Sequence, residues 1–424
     1  MMTDFSVLKS KTNKLIDARE HLNEYFGKRF PSRFTKDDVK YYDDKPDELA
    51  LINYTSGSTG FSKGVMLSYR SIWSNLKFCN ENLDFLQAGD GTVSMLPMAH
   101  MYGLAIELLN PFAKGCHIHF LTRVPSPKVI MDAFAEIKPK LIVAVPLIIE
   151  KIIRTKVFPL LEKPLVKLML MVPVLDTQLL TRIKNKLEET FGGNLQEMII
   201  GGAALNPDVE QFLSKIDFPF TVGYGMTECG PLISYAWWQE ARTGSCGKVV
   251  ERMAARIDSP DPQSIVGELH VKGDNVMMGY YKNEEATRQV MKDDGWMNTG
   301  DLAIIDEDGY LYLKGRSKSM ILGPSGQNIY PEEIEAKLNN MPYVSESVVI
   351  DQDGKLVALV YPDFENAERA GLAGDKITTQ MEENRIALNK ELPAYSQISK
   401  TKIYYEEFEK TPKRSIKRYL YQNS

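Results

Sequence analysis

Hydrophobic residues recur along this chain in three different rhythms, and each rhythm predicts a different kind of structure. Residues 1–48 are mostly polar and charged, with helical spacing only near Lys14–Phe26. The segment that follows, ELALINYTSGSTGFSKGVMLSYRSI, reads as a buried strand, a loop of small residues, a short strand and the start of a helix. From about 71 to 250, apolar runs alternate with amphipathic stretches. Strands are predicted at Thr92–Leu96, His117–Leu121, Leu141–Val145 and Glu197–Ile200, and helices at 126–136 and 177–191. Such alternation is the signature of an α/β domain with a largely parallel sheet. The two most apolar runs, 141–150 and 165–175, are about half the ~20 residues a membrane-spanning helix needs, and are predicted as buried strands.

The pattern changes beyond residue 250. VGELHVKG (266–273) and LAIIDEDGYLYLKG (302–315) predict short antiparallel strands, with Asp308-Gly309 as a hairpin turn. After GRSKSM (315–320) a third texture begins. Pro331 suits the first turn of a helix, strands are predicted near 347–351 and 356–361, and a helix near 375–390. This last part is the size of a small domain.

Composition narrows the function classes. At 424 residues the chain is long enough for two or three domains and a large core. Its net charge of −5 argues against nucleic acid as the principal partner, because phosphate backbones demand a basic face. The four cysteines form no CxxC pair and no zinc or disulfide pattern, which fits a reducing compartment. With no signal-peptide core at the N-terminus, a cytoplasmic protein is expected, its membrane contact at most peripheral. Nothing in these patterns sets an oligomeric state.

Candidate chemistry is concentrated in the loop Thr55-Ser56-Gly57-Ser58-Thr59-Gly60-Phe61-Ser62-Lys63-Gly64. Glycines allow backbone N–H groups to approach an anion, hydroxyls add donors, and the lysine supplies a point charge for phosphate. A flexible surface loop is the plainer alternative, but apolar flanks on both sides tie this one to a core. The spacing does not fit a Walker A loop, which closes a glycine span with Gly-Lys-Ser/Thr.

Tyr54–Gly64 resembles the signature loop of the acyl-adenylate-forming superfamily, which includes acyl-CoA synthetases, firefly luciferase and peptide-synthetase adenylation domains; Ser62 stands where proline is usual. Further segments follow in the family's order. LPMAHMYG (96–103) is similar to the segment bordering the acyl pocket, with His100 and Tyr102 as substrate neighbours. GGAAL (201–205), with Gly201, Gly202 and Ala203, is similar to the strand end near adenine and the acyl group. In GYGMTECG (223–230) the resemblance implies Tyr224 stacked on adenine beside Gly225, Thr227 at the α-phosphate and Glu228 on Mg²⁺. GWMNTGDL (295–302) would place Asp301 on the ribose hydroxyls, and 315–335 resembles a hinge and lid entry with Arg316 as a further nucleotide contact. Each assignment has physical sense: magnesium prefers oxygen ligands and bridges phosphates, a carboxylate accepts both hydrogen bonds of a diol, and a tyrosine offers a flat face to a purine.

Singly, these residues have ordinary readings. Tyr224 alone is a core aromatic, Asp301 a turn residue, Glu228 a solvated charge and Arg316 half of a surface ion pair. His100 alone is a structural histidine, and Trp237-Trp238 lines an acyl channel or the edge of a core. His117 and His119 share a strand face without an acid or cysteine at ligand spacing.

The sequence also departs from the family. Members carry well over a hundred residues before the phosphate loop, so the resemblance implies an N-terminally shortened form. TPKRSIKRYL (411–420) places Ser415 where the family has a lysine, with Lys413 and Lys417 two residues to either side. On a strand both would return to the same face and could substitute; a basic surface tail is the alternative. Ser319 occupies the usual aspartate or lysine position of the hinge. The resemblance therefore implies an adenylation domain over 1–314 and a C-terminal lid over 315–424. The implied chemistry joins a fatty acid to coenzyme A through an acyl-adenylate, using ATP and Mg²⁺, with Gly326 near the pantetheine arm. An acyl-carrier-protein acceptor, or a nucleotide binder without turnover, stays open.

Overall fold

A computed structural model of the chain describes residues 13–39, 45–56, 62–121, 127–323, 327–410 and 416–422. Residues up to Lys45 form one compact unit and Pro46–Ser424 another. In the first, α1 (Lys14–Glu20) and α2 (Leu22–Arg29) bury no residue. The rings of Phe26, Phe30 and Phe34 gather beside them at 4.7–5.6 Å.

The second unit opens with β1 (Leu49–Ser56) and β2 (Ser62–Ser68), an antiparallel pair registered Thr55 to Lys63 and Ser56 to Ser62. The Ser68 hydroxyl then caps α3 (Tyr69–Asn82) by accepting from the Ser71 amide, as serine does at helix starts. β3 (Gly91–Ser94) pairs in parallel with β4 (His117–Phe120). Between them runs a π-helical turn, Gly103–Leu109.

The alternating region folds as its rhythm predicts. In chain order it holds α4 (Pro127–Ile137), β5 (Leu141–Ala144), α5 (Pro146–Ile152), α6 (Pro164–Leu170), α7 (Pro173–Thr190), β6 (Glu197–Ile200), α8 (Pro207–Lys215) and β7 (Phe220–Val222). Strands β5, β6 and β7 form a parallel sheet in that order. Helices close over it, burying Phe134, Phe191 and Phe218 in one ring cluster. Two expectations fail here. The run 141–150 is strand only to Ala144 and turns into α5 at Pro146, which suits a helix start. Residues 165–175 are not a buried strand: α6 is helical with no buried residue, and Leu165, Leu168 and Met171 are exposed. The apolar run carries Lys167, follows Pro164 and contains Pro173, and prolines favour helix starts over strand interiors.

Antiparallel structure follows. β8 (Tyr224–Gly225), β9 (Leu232–Tyr235) and β10 (Lys248–Val249) form one small sheet. β11 (Met253–Asp258), β12 (Gly267–Gly273), β14 (Met297–Ile305) and β15 (Leu311–Arg316) form another, while β13 (Gly279–Tyr280) joins β2. The turn at Asp308-Gly309 is as predicted, with Gly309 at φ +86°.

The C-terminal part contains α9 (Pro331–Leu338), β16 (Val344–Gln352), β17 (Lys355–Pro362), α10 (Asp375–Asn389) and β18 (Ile398–Ile403). β16 and β17 are antiparallel, and β17 and β18 parallel. Glu335 of α9 accepts from the Val349 amide at 2.6 Å and from Arg418, tying the chain's last described turn to the helix. The Arg154 guanidinium donates to the Asn339 carbonyl at 2.6 Å and to Asn340 Oδ1 at 2.8 Å, joining this part to the α/β region.

Candidate active site

The sequence-predicted nucleotide residues converge from five elements. Asp301 and Arg316 lie directly opposite one another on β14 and β15. Their side chains meet on one face, Arg316 Nε lying 2.7 Å from Asp301 Oδ1. Asp301 is therefore a strand residue and not the turn residue its Thr-Gly neighbours allow. The Tyr224 hydroxyl, arriving from β8, donates to Asp301 Oδ2 at 2.5 Å. Asp301 is 5% exposed, and this burial raises its pKa; Arg316 and Tyr224 offset part of the rise, while the nearby Glu228 adds to it. Below this pair, Glu268 accepts from Asn298 at 2.7 Å and from the Ser317 hydroxyl at 2.6 Å, fixing the strand ends that carry Asp301 and Arg316.

Glu228 sits in a 3₁₀ turn, Thr227–Cys229, and both Thr227 and Glu228 are buried. Its Oε1 accepts the Tyr280 hydroxyl at 2.9 Å. The Lys63 ammonium lies over the Tyr280 ring, 4.8 Å from its centre, a cation–π arrangement. Tyr280 is thus the piece joining the phosphate-loop lysine to the acidic turn, and the sequence reading misses it. The backbone repeats the connection: Tyr281 N donates to the Gly64 carbonyl at 2.7 Å, Met278 N to Met66 at 2.9 Å and Met277 N to Glu228 at 2.8 Å. The available signal was Gly279 before two tyrosines, its φ of +138° marking a backbone bend.

A buried polar network holds the acidic turn from behind. Asn75 of α3 donates to the Cys229 carbonyl at 3.1 Å and accepts from the Leu232 amide at 2.9 Å. Ser71 donates to the Asn275 carbonyl at 2.7 Å, and Asn275 donates to the Leu232 carbonyl at 2.7 Å. Gly225 closes the β8–β9 pair so tightly that a Cβ there would lie 2.2 Å from the Pro231 carbonyl oxygen.

The predicted acyl-side residues meet at the strand ends. The Tyr102 hydroxyl donates to the Ile199 carbonyl at 3.0 Å, and a Cβ on Gly201 would come within 3.2 Å of the Tyr102 ring. Gly201 N donates to the Ala144 carbonyl, Gly202 has φ +85°, and Ala203 is exposed. The loop carrying His100 and Tyr102 is pinned by Asn53, which donates to the Ala99 carbonyl at 3.0 Å, and by Glu107. Glu107, buried on the π turn, accepts from Leu96 N at 2.8 Å and Met95 N at 3.0 Å, and burial pushes it up to about 8. Trp237 packs on Phe85 at 5.5 Å, and the Trp238 amide donates to Glu197 at 3.1 Å.

Some predicted residues are not brought in. Thr55 and Ser56 end β1, but Gly57, Ser58, Thr59 and Gly60 lie outside the described residues, as do Gly326, Lys413 and Ser415. Lys417 is described: it follows Ile416, which bridges to Lys410 in antiparallel fashion, precedes a 3₁₀ turn and pairs with Glu409 at 3.0 Å. Two cavities of about 250 and 210 Å³ lie in the C-terminal part around Ile321, and Glu228 lines neither.

The arrangement can bind a ligand that carries both a diol and a strong negative charge. Two buried carboxylates lie near enough to act on one another, each held by a tyrosine hydroxyl; Arg316 pairs with Asp301, and Lys63 lies over the tyrosine that holds Glu228. Among the described residues no group of three or more His, Cys, Asp or Glu side chains forms an all-protein metal cage. Glu228 with the neighbouring Thr227 hydroxyl fits the other way magnesium is held, by one or two carboxylates and the phosphates of a substrate.

The AMP-binding enzyme family model matches residues 6–281, and the AMP-binding enzyme C-terminal domain model matches 318–423. A long-chain-fatty-acid–CoA ligase of Mycobacterium bovis is 28% identical over 360 residues, 78% of this chain and 58% of the relative. A 2-succinylbenzoate–CoA ligase of Bacillus cytotoxicus is 33% identical over 309 residues, 72% of this chain and 57% of the relative. The chain thus spans under three fifths of the length of these relatives. The solved structure of ATP-bound MatB from Rhodopseudomonas palustris superposes with a TM-score of 0.71 at 25% identity, covering 96% of this chain and 72% of that one.

Proposed function

The chain belongs to the AMP-binding enzyme family, and from that membership and the geometry of the cleft we propose that it activates a carboxylic acid with ATP and transfers the acyl group to coenzyme A. The reading is carried by one observation: Glu228 and Asp301 are both buried in one cleft, each accepting from its own tyrosine. Glu228 acts on Asp301 strongly enough to raise its pKa, so an anionic ligand suits this pair only with a cation beside it. A magnesium-bearing nucleotide fits: its ribose diol would donate to Asp301, and Glu228 would help hold the magnesium.

In the first step the substrate carboxylate oxygen bonds to the α-phosphorus while the bond from that phosphorus to pyrophosphate breaks. Lys63 and Arg316 offset the phosphate charge, the Thr227 hydroxyl donates to the α-phosphate, and Tyr224 supports the adenine and orients Asp301. Magnesium, when bound at Glu228, supplies further charge neutralisation. No side chain becomes covalent. In the second step the thiol sulfur bonds to the acyl carbon, the carbon–oxygen bond to AMP breaks, and the thiol proton passes to solvent.

The acyl group is proposed to be a fatty acid. No lysine or arginine occurs within 96–103, 201–205 or 223–230, the segments assigned to the substrate and nucleotide, and a long-chain-fatty-acid–CoA ligase is among the relatives. Residues 1–314 would form the adenylation domain and 315–424 a lid turning near Ser319, with Gly326 at the pantetheine arm. Lys413 is the candidate to replace the lysine absent at Ser415, since Lys417 already pairs with Glu409.

Pyrophosphate release from ATP, magnesium and a panel of acids tests the proposal. Fatty acids should support turnover, and Lys63→Met should lower it by about a hundredfold, as loss of a phosphate-clamping charge does. Absence of pyrophosphate with every acid, and of ATP binding by calorimetry, would overturn it.

A further inference from the structure

We infer that the outward face of α6 and the start of α7 docks on an anionic lipid surface. The face is built from Leu165, Leu168, Met171 and Val172, which are 70%, 61%, 77% and 43% exposed. Leu165 and Leu168, three residues apart, share one side of α6, the pattern that normally faces a core, and Met171 and Val172 follow at its C-terminal end. Here it faces solvent. Leu160 and Leu175 extend the patch on either side. Contiguous exposed apolar surface of this kind marks an interaction site.

Charge selects the occupant. Between 151 and 172 the chain carries Lys151, Arg154, Lys156, Lys163 and Lys167 against the single acidic residue Glu162, whereas the whole chain has a net charge of −5. Arg154 is turned toward Asn339 and Asn340 and Lys167 pairs with Glu162, while Lys163 caps the exposed apolar helix, so the segment keeps its positive balance. Leucines and a methionine interleaved with lysines are the composition of a helix that lies in the headgroup layer of an acidic bilayer. A second copy of the chain is disfavoured, because a two-fold contact through this face would set basic residue against basic residue.

The patch lies along the membrane and does not cross it. α6 has seven residues, about 10 Å of helix against a hydrocarbon core of ~30 Å. α7 leaves at 114° to it, and among the described residues no single helix is long and apolar enough to span. The inference is independent of the proposed activity, since it rests on residues outside the cleft.

Flotation of the full chain with vesicles tests it, comparing phosphatidylcholine alone with phosphatidylcholine containing about one third phosphatidylglycerol. The wild-type protein should float with the acidic vesicles and stay behind with the neutral ones. Leu168→Glu with Met171→Glu should weaken binding by about tenfold or more, and Lys163→Ala with Lys167→Ala by about tenfold. Thermal melting of both variants should match wild type, because the altered side chains are exposed. Equal flotation of wild type and the Leu168/Met171 variant would overturn the inference. So would no flotation at all, or a concentration-dependent dimer, lost in that variant, from a protein that ignores vesicles.

Discussion

Asp301 receives a hydrogen bond from Tyr224 and an ion pair from Arg316 on its two oxygens, yet the two partners are not equivalent. Arg316 is 57% exposed and can return to water, whereas Tyr224 is buried. Tyr224→Phe should therefore cost stability by about 1–3 kcal/mol, because it strips a donor from a buried acceptor. Arg316→Ala should cost a similar amount, because it leaves the buried Asp301 carboxylate without its counter-charge, and should weaken ATP binding more than Tyr224→Phe does. Chemical denaturation and ATP titration of both variants check this. A second prediction concerns pH. Burial pushes Glu107 and Glu197 up to about 8 and Glu335 up to about 7 from an ordinary 4.5. Between those values the folded chain holds protons that the unfolded chain has released, so their contribution to stability falls as pH rises from about 5 to 8. Glu197→Gln should flatten that decline by on the order of 1 kcal/mol, read from melts across the range.

At the scale of elements, the strands of the parallel sheet were legible because β-branched and apolar runs of four residues sit between clear helical repeats. Glu197–Ile200 is a case where prediction and structure coincide. The site was legible where chemistry is local, as in the hydroxyl- and glycine-rich loop. It was illegible where partners are distant: nothing around Tyr280 reveals that it reaches Glu228, 52 positions away, or that Asn75 braces the acidic turn. Residues 165–175 misled because an apolar run without strict alternation fits a strand or a helix equally, and the prolines carried the deciding information. Gly225 offers an element-scale test. With a Cβ 2.2 Å from the Pro231 carbonyl oxygen, Gly225→Ala should force β8 from β9. Activity should drop by about tenfold or more through misplacement of Tyr224, with a smaller loss for Gly193→Ala, where nothing crowds the added carbon.

For the molecule as a whole, the contact of Arg154 with Asn339 and Asn340 is a restraint on how the C-terminal part sits against the α/β region. Asn206 adds to it by donating to Asn340 Oδ1. Arg154→Ala should leave each part folded and free their mutual motion, raising the rate of proteolytic cleavage between 318 and 330 by about tenfold. Unchanged cleavage would show that the restraint lies elsewhere.

The splice at 277–281 has a kinetic consequence. Met277, Met278 and Tyr281 each give their amide to a different backbone partner, on the acidic turn and on the strand after the phosphate loop. None of the three can trade its proton for deuterium while both attachments persist. Their isotope uptake should therefore proceed in step, and slow in step when nucleotide is added, reporting the assembly of a cleft whose parts lie more than two hundred residues apart in the chain.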